Sequence, residues 1–402
     1  MSFDVDRIRS SFPSLDAGAA HFDGPGGTQT PRSVYQAITD LLAGPVANQG
    51  TITLAEQRAE SAVTEARRAM ADLLGADPQG IVFGRSMTAL TFDFARTLSQ
   101  DWGPGDEIVV SRLDHDANVR PWVRYAEKSG ATLRWIDFDV ATGYLDVTDV
   151  ESVLSERTRV VALTGASNLI GTRPDLPAIA KSVHAVGALF YVDGVHLTAH
   201  SAIDVKAIGA DFYGCSPYKF FGPHIGVLAA SPTLLESLHP DKLLPSTEVV
   251  PMRFELGTLP YELLVAVTAA VDFIAGMKEG SGTRRERIIA SMNAAEEYED
   301  SLSHRLREGL KATPGVTVYS NARSKTPTDL FSIEGVSGAQ AYAYFAKHNV
   351  NAPSSSFYAI EASRHLGLGD DGAIRAGLAP YNTVDDIDRL LACVAQLASG
   401  AR

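Results

Sequence analysis

A lysine in an apolar setting is the residue of this sequence with the clearest chemical potential. Lys219 lies within Pro-Tyr-Lys-Phe-Phe-Gly, residues 217–222. Burial of an ammonium group costs free energy unless the group is paired, and an imine formed with an aldehyde removes the charge. The other interpretation is that Lys219 reaches solvent from a loop, and the local sequence favours neither.

An acid that precedes this lysine by one predicted β-α-β unit favours the imine. Asp193 ends the apolar run Ala-Leu-Phe-Tyr-Val-Asp. A carboxylate there can keep a pyridine nitrogen protonated, which pyridoxal phosphate (PLP) requires to act as an electron sink. Asp193 taken alone could equally cap a following helix. The two residues together predict PLP held as a Schiff base on Lys219.

The elements that must position these residues alternate between strand and helix. Helices are predicted at 63–74 and 175–186, and strands at 81–84, 107–111, 132–138, 159–165, 188–194, 211–216 and 226–230. This alternation predicts an α/β fold with a mainly parallel sheet, which binds ligands at the carboxyl ends of its strands. We expect residues 15–282 to form this large domain.

The pattern changes near residue 283. A long charged helix follows, then a candidate strand at 329–335 and a final helix from Val384. These elements predict a smaller α+β C-terminal domain that comprises 283–402 together with the N-terminal residues 1–14.

Composition limits the class of protein. The 402 residues carry a formal net charge of −13, which argues against nucleic acid or an anionic membrane as the main partner. No apolar run is long enough to span a bilayer, and the first ten residues lack the features of a secretory signal. Two cysteines cannot make a disulfide framework or a multi-thiolate metal site, so no metal is expected. We expect a cytoplasmic enzyme.

Several motifs in a fixed order extend over nearly the whole chain. They are HFDGPGGTQTP (21–31), GRSMTAL (84–90), LDHDANVRPW (113–122), GASNLIGT (165–172), MRFELGTLPYE (252–262) and AIRAGLAPYNTVDDIDRLL (373–391). With Asp193 and Lys219, this series resembles the class V aminotransferase superfamily of fold-type I PLP-dependent transferases. Within it, the sequence is most similar to the cysteine desulfurase/selenocysteine lyase branch, in its cysteine desulfurase-like subgroup.

The resemblance implies roles for residues that hold the cofactor. Ligands of the PLP phosphate would be Ser86, Met87, Thr88 and Ser216. His115 would stack on the pyridine ring and could help in proton transfer, and Asn168 would bind the phenolic oxygen. His196 replaces a common glutamine and could contact the same oxygen as a group that titrates near neutral pH. Asp114 in place of Glu and Tyr218 in place of His depart from the family pattern.

The resemblance also implies a partner and a substrate site. Thr258 would reach the phosphate of a neighbouring subunit, which implies a homodimer with shared sites. Arg375 would clamp the α-carboxylate of a small-molecule amino-acid substrate; otherwise it would form a surface salt bridge. Ser355 and Ser356 replace a Gly-His pair of the subgroup, and we expect Ser356 to bind substrate with altered specificity.

The cysteine that receives sulfur in dedicated desulfurases has no counterpart here. The corresponding stretch, residues 349–367, contains no cysteine, and three serines occupy the area. Cys215 and Cys393 fall in a predicted strand and a predicted helix, where neither is expected to be a reactive thiolate. A persulfide-forming desulfurase is therefore disfavoured.

Several activities remain open. Lys219, freed from the cofactor, would remove the substrate α-proton, and elimination of a β-substituent, transamination or epimerisation could follow. The resemblance favours β-elimination on a cysteine-derived substrate, with transamination a close second. A PLP-binding protein without turnover is a distant alternative. A nucleotide-dependent enzyme ranks low, because no GxGxxG or GxxxxGK[ST] motif is present.

Overall fold

Three sheets and fourteen helices make up the computed structural model, which describes residues 3–400. The strands are β1 (Ala20–His21), β2 (Ile81–Gly84), β3 (Glu107–Ser111), β4 (Thr132–Ile136), β5 (Thr158–Thr164), β6 (Leu189–Asp193), β7 (Phe212–Cys215), β8 (Gly226–Ala230), β9 (Val316–Val318), β10 (Thr328–Ile333), β11 (Val350–Asn351), β12 (Ser354–Ser355) and β13 (Ala373–Gly377).

The helices cover the sheet faces and connect the strands. They are α1 (Val5–Arg9), α2 (Arg32–Leu42), α3 (Leu54–Leu74), α4 (Met87–Leu98), α5 (Arg120–Ser129), α6 (Val147–Glu151), α7 (Leu176–Ala185), α8 (Val205–Ile208), α9 (Pro232–Glu236), α10 (Tyr261–Ala275), α11 (Arg284–Ala312), α12 (Gly338–Lys347), α13 (Ile360–His365) and α14 (Val384–Gly400).

The large sheet has seven strands in the order β2-β8-β7-β6-β5-β3-β4. All neighbours are parallel except β8, which runs antiparallel to both β2 and β7. Strands β3, β7 and β8 are buried along their whole length, as apolar strands covered on both faces must be, whereas the edge strand β4 alternates in exposure. The predicted α/β class with a mainly parallel sheet is confirmed.

A second unit contains the remaining strands. Its antiparallel sheet has the order β12-β13-β10-β9, and the short strands β1 and β11 pair in parallel beside it. A separate hydrophobic core, which includes Phe22, Leu306, Phe331 and Val394, packs this unit. Phe22 belongs to this core although it lies within the range predicted for the large domain. The domain boundary at 282/283 stays a prediction.

Helix α11 joins the two units. A capping box at Thr283 and Glu286 starts the helix. Its first half contributes Ile288 and Met292 to the core around the large sheet, and its second half contributes Leu302 and Leu306 to the smaller core. One continuous helix is therefore part of both cores.

Within residues 3–400, no helix combines the length and the apolar composition that crossing a bilayer requires.

Candidate active site

A cavity of about 670 Å³ lies at the carboxyl ends of the parallel strands and is closed on its far side by the smaller sheet. Its lining includes most of the residues predicted to hold cofactor and substrate: Met87, Thr88, His115, Asn168, Asp193, His196, Ser216, Lys219 and Arg375. Apart from Arg375, which lies on the smaller sheet, they follow the ends of strands of the large sheet, because each crossover leaves the sheet at this edge. The sequence-based positions therefore meet at one place.

Lys219 ends the short 3-10 turn that follows β7. Its Nζ donates a hydrogen bond to the carbonyl oxygen of Pro25 and lies 4.6 Å from the centre of the Tyr218 ring. Desolvation, assisted by the positive charge of Arg375, lowers the pKa of the Lys219 amine to about 7. The side chain faces the cavity, and about half of an amine with this pKa is neutral, and therefore nucleophilic, at pH 7.

Asp193 is the last residue of β6 and is buried. Its Oδ1 accepts a hydrogen bond from the backbone N–H of Val195 at 2.9 Å. The next helical turn begins at Leu197 with His196 as its N-cap residue, so Asp193 does not cap it. Within residues 3–400 this carboxylate has no ion-pair partner, and desolvation raises its pKa to about 6.

The amino end of α4 faces the cavity with Met87 and Thr88 in its first turn. Ser86 is the N-cap residue, with Oγ accepting from the backbone N–H of Ala89 at 3.1 Å, and it lies beside the cavity without lining it. Backbone N–H groups at such an end, together with the Ser216 side chain opposite, form an environment suited to a phosphate.

His115 follows β3 and lies at the start of a 3-10 turn, residues 116–118. Its Nδ1 accepts a hydrogen bond from the Ala117 backbone N–H at 3.0 Å, and its ring faces the Tyr358 ring at 5.6 Å between centroids. Desolvation, Lys219 and Arg375 lower its pKa to about 4. The ring is therefore neutral near pH 7.

Two further predicted cofactor ligands also contact the smaller unit. Asn168 donates from Nδ2 to the carbonyl oxygen of Phe357 at 2.9 Å, while its buried Oδ1 has no partner among the described residues. His196 Nε2 lies 2.8 Å from Thr326 Oγ1 and 3.1 Å from Thr328 Oγ1. Desolvation lowers the pKa of His196 well below its ordinary value, so the expectation that it titrates near neutral pH is not met.

Arg375 lies on β13 and is 1% exposed, which excludes a surface salt bridge. Its Nη2 donates to Asp23 Oδ1 at 2.6 Å, and its Nη1 donates to the carbonyl oxygen of Asn168 at 2.9 Å. The Phe357 ring packs against the guanidinium, with 3.7 Å from Cζ to the ring centre. Nε is buried without a partner among residues 3–400. A carboxylate from this chain thus already contacts the predicted carboxylate-binding group.

Besides Ser86, two other predicted residues do not line the cavity of this chain. Ser356 is buried beside it, and Ser355 lines it instead. Thr258 lies on an exposed segment after Phe254, outside the cavity. Because Thr258 was predicted to act in a neighbouring subunit, its place in a single chain does not test that role.

Sequence reasoning did not single out some residues that the cavity brings together. The pairing of Asp23 with Arg375 and the positions of Phe357 and Tyr358 are the clearest cases. Phe357 and Tyr358 have φ values of 50° and 59°, a left-handed conformation that is rare in bulky residues. Asp23 falls in the motif at 21–31 that carries part of the family resemblance, but no local signal pointed to the left-handed aromatic pair.

Comparisons with known proteins agree with this arrangement. A family model described as aminotransferase class-V matches residues 20–390. The chain belongs to the class V aminotransferase family. An aminotransferase-like protein, FGM3 of Gibberella zeae, is 33% identical, with 97% of each chain covered. A cysteine desulfurase of Dickeya dadantii is 29% identical, with 97% of this chain and 96% of the relative covered.

A solved structure supports the same conclusion. The cysteine desulfurase CsdA of Escherichia coli matches with a TM-score of 0.88 and 26% identity over 99% of both chains. The predicted fold-type I architecture is confirmed by this likeness, and the recognised superfamily is confirmed by the family model. Members of the class V aminotransferase family are PLP-dependent enzymes, so the predicted cofactor is also confirmed.

The residues of this member of the class V family fit the cofactor. The carboxylate of buried Asp193 has no ion-pair partner within residues 3–400, and a pyridinium N–H would supply the missing positive charge. The partnerless Oδ1 of Asn168 and the amino end of α4 offer further contacts to a phenolic oxygen and a phosphate. Lys219 offers the amine to which the PLP aldehyde could attach.

Proposed function

We propose that the protein acts on an amino-acid substrate and removes its α-proton with Lys219, and that elimination of a β-substituent follows. The substrate class is a cysteine or a cysteine conjugate, and the net reaction converts it with water to pyruvate, ammonia and a thiol or sulfide. The observation that carries this proposal is the amine of Lys219, whose pKa is lowered to about 7 in the cavity that Asp193 and Arg375 also line.

Bound PLP supplies an aldehyde that links to amines and a protonated ring that accepts electrons from the bond being broken. The residues of the chain would do the rest. Asp193 would hold the ring nitrogen by charge, and Lys219 would carry the cofactor and then take the proton. A lysine with an ordinary pKa would be protonated near pH 7 and could not act as this base.

Arg375 would bind the substrate carboxylate. A guanidinium has five N–H groups, and two of those of Arg375 contact Asp23 and the Asn168 carbonyl oxygen. The remaining N–H groups include Nε, which is buried without a partner among the described residues. Bidentate binding of a carboxylate is therefore possible while Asp23 keeps its contact, which fixes the orientation of the guanidinium.

Elimination ranks first because desulfurases act at a carbon–sulfur bond and similar proteins carry that name. A persulfide on this chain is not part of the proposal. Residues 349–367 contain no cysteine, and Cys215 and Cys393 are buried. Desolvation raises the pKa of both thiols, which opposes the thiolate that sulfur transfer requires.

Transamination is the second candidate, and the relative named aminotransferase-like, FGM3, favours it. Both reactions start from the same proton transfer to Lys219, so they differ in the fate of the substrate and not in the residues that bind it. Epimerisation and cofactor binding without turnover remain lower alternatives. A cytoplasmic location stays a prediction.

A substrate panel tests the proposal. We expect the purified protein to be yellow, and borohydride to fix the cofactor to Lys219 among the nine lysines. L-cysteine and S-alkyl cysteines should give pyruvate with a released thiol or sulfide, without an added amino acceptor. Lys219→Ala should abolish this release, whereas Lys181→Ala, a change at an exposed lysine, should not. Turnover that depends on a 2-oxo acid would replace elimination by transamination.

A further inference from the structure

We propose that His115 is held as the Nε2–H tautomer and acts as a hydrogen-bond donor to the substrate, which leaves Lys219 as the single proton-transfer base of the cavity. This inference deepens the proposed function and rests on it for the reaction. The tautomer itself depends only on the contacts of the folded chain.

The backbone around His115 fixes where its proton lies. His115 is the N-cap residue of the turn at 116–118, and its Nδ1 accepts the N–H of Ala117 at 3.0 Å. A nitrogen that accepts a hydrogen bond must present its lone pair, so the ring proton is on Nε2. Protonation of Nδ1 would break this bond and would point two N–H groups at each other.

The surroundings of the ring oppose its protonation as well. Desolvation, with the nearby positive charges of Lys219 and Arg375 as smaller causes, lowers the pKa of His115 to about 4. Two acids flank His115 in sequence, and Asp116 is paired with Arg120 at 2.7 Å. Asp114 is buried and bonds to Ser111 and Asn118, and desolvation raises its pKa to about 8, so it carries no charge near pH 7. The other ring, Tyr358, packs on His115 without offering a charge.

The second nitrogen of the ring is the one left for chemistry. Nε2 makes no hydrogen bond to any of residues 3–400, and His115 lines the cavity. As an N–H group it can donate to an anionic atom of a substrate, such as a departing sulfur or a carboxylate oxygen. It cannot take a proton, because the only lone pair of the neutral ring is on Nδ1 and bonds to Ala117.

No other side chain that lines the cavity is available as a base besides Lys219. The carboxylate of Asp23 is paired with Arg375, and His196 bonds to two threonine hydroxyls with its pKa well below the ordinary value. Burial raises the pKa of the Tyr218 phenol, so it stays protonated. Asp193 bonds to a backbone N–H and is the proposed partner of the pyridine nitrogen.

A single base determines how the protons move. The Lys219 amine takes the α-proton and becomes an ammonium, while the electron pair of the Cα–H bond forms the Cα–Cβ double bond as the Cβ–S pair leaves with sulfur. The ammonium then returns its proton to the thiolate, which restores the amine and gives the thiol. When the Lys219 ammonium instead returns the proton to Cα, it does so on the face from which it took the proton. A substrate released in this way keeps its configuration, so epimerisation does not occur.

Nuclear magnetic resonance of the histidine rings tests the tautomer without substrate. The full-length protein, labelled with ¹⁵N-histidine and studied with and without PLP, has ten histidines. Loss of one set of signals in His115→Gln identifies His115. We expect the neutral Nε2–H pattern, unchanged between pH 5.5 and 8.5. A Nδ1–H pattern, or a titration within this range, overturns the proposal.

Hydrogen exchange tests the single base. In D₂O, L-alanine and S-methyl-L-cysteine incubated with the holoenzyme should gain α-deuterium with retained configuration. Lys219→Ala loaded with PLP should reduce this exchange at least 100-fold although His115 is intact. Formation of D-alanine, or exchange by Lys219→Ala within tenfold of the wild type, overturns the proposal. If the wild type exchanges no amino acid, the proposed function fails, while the ring signals still decide the tautomer.

Discussion

The charge state of Lys219 reflects a balance among single residues. Desolvation and Arg375 lower the pKa of its amine, whereas the carboxylates of Asp23 and Asp193 raise it. Asp23 bonds to Arg375, so the two residues that affect Lys219 in opposite directions are themselves a pair. A change at either one should therefore be visible at the lysine.

This balance predicts how cofactor attachment depends on pH. Only the neutral amine attacks an aldehyde, so the rate of PLP attachment to the apoprotein should rise through about pH 7 and level off about one unit higher. Arg375→Met removes a repelling cation and should raise this midpoint. Stopped-flow absorbance between pH 5.5 and 9 measures both. Arg364→Met, an exposed control, should leave the midpoint unchanged, and a midpoint near 10 in the wild type would contradict the prediction.

Asp193→Asn should stabilise the apoprotein while it impairs the enzyme. Folding raises the pKa of this carboxyl from 3.8 to about 6, so its ionised form destabilises the fold above pH 6, and this penalty vanishes below pH 4. The amide keeps an acceptor for the Val195 N–H without the charge. Urea unfolding of the apoprotein at pH 7.5 should show a gain of about 2–3 kcal/mol.

The same variant should lower turnover by about 100-fold, since about 3 kcal/mol of charge stabilisation at the ring is lost. Asp371→Asn, at an exposed position, should change neither property. An apoprotein of Asp193→Asn that is less stable than the wild type at pH 7.5 would show that the carboxylate is not the buried, unpaired charge described above.

The place of a single residue in the cavity could be predicted where a sequence motif puts that residue at the end of a strand. Lys219, Asp193, His115, Asn168 and Arg375 line one cavity as expected, because strand order brings such positions together. The contact of Asp23 with Arg375 joins residues 352 apart, and only the packing of the smaller sheet against the amino-terminal segment creates it. The choice of Ser355 over Ser356 depends on strand register in the same way.

At the scale of elements, the amino end of α4 depends on how closely it packs against β8. A β-carbon added to Gly226 would lie 2.2 Å from the carbonyl carbon of Ser86 and 2.5 Å from the backbone nitrogen of Met87. Such distances are shorter than non-bonded contacts allow, so a glycine is required where β8 passes the start of the helix.

Gly226→Ala should therefore displace the start of α4 and weaken PLP binding. We expect the dissociation constant to rise more than tenfold, together with a stability loss of about 1–3 kcal/mol from overpacking. Absorbance titration of the apoprotein with PLP and thermal unfolding measure the two effects. Gly103→Ala is the matched control, because no atom lies within 4 Å of its added β-carbon. An unchanged affinity of Gly226→Ala for PLP would show that the amino end of α4 does not bind the phosphate.

Most strands and the long helix α11 could be predicted from apolar runs and periodicity, whereas the helix predicted at 63–74 begins earlier, at Leu54, and α10 was not predicted. The structure gives the strands at 81–84, 107–111 and 226–230 with the predicted bounds, and shortens the one at 132–138 to Thr132–Ile136. The direction of β8 could not be predicted, since an apolar run contains no signal for parallel or antiparallel pairing. The two-residue strands β1 and β11 were missed because their pairing is a long-range contact.

At the scale of the whole molecule, the segment that carries Thr258 presents apolar side chains to solvent. They are Leu243, Leu244, Val249, Met252 and Leu256, of which Leu244 is 98% exposed. The buried ion pair of Glu255 with Arg67, at 2.6 Å, fixes the segment on helix α3. Exposed apolar groups on an anchored segment indicate a contact with another molecule, and the predicted homodimer would cover them.

The homodimer is open to a direct test. We expect light scattering to give twice the chain mass of 42.9 kDa. The double change Leu244→Asp and Leu256→Asp should give monomers with weaker PLP binding, because Thr258 would no longer reach the neighbouring phosphate. Val140→Asp, at a partly exposed valine elsewhere, is the control. A wild-type protein that is monomeric and still binds PLP tightly would contradict shared sites.

The long helix α11 has a consequence for how the protein melts. Ile288 and Leu306 lie on the same helix but belong to different cores. Unfolding of the smaller core would expose the apolar side chains of the second half of α11 and would destabilise the helix as a whole. The unit with the large sheet and the unit with the smaller sheet should therefore unfold together. Calorimetry should show one peak whose van't Hoff enthalpy of unfolding equals the calorimetric enthalpy. Independent motion of the smaller unit would require an interruption of helix α11. The sequence of α11 contains no proline that would interrupt it.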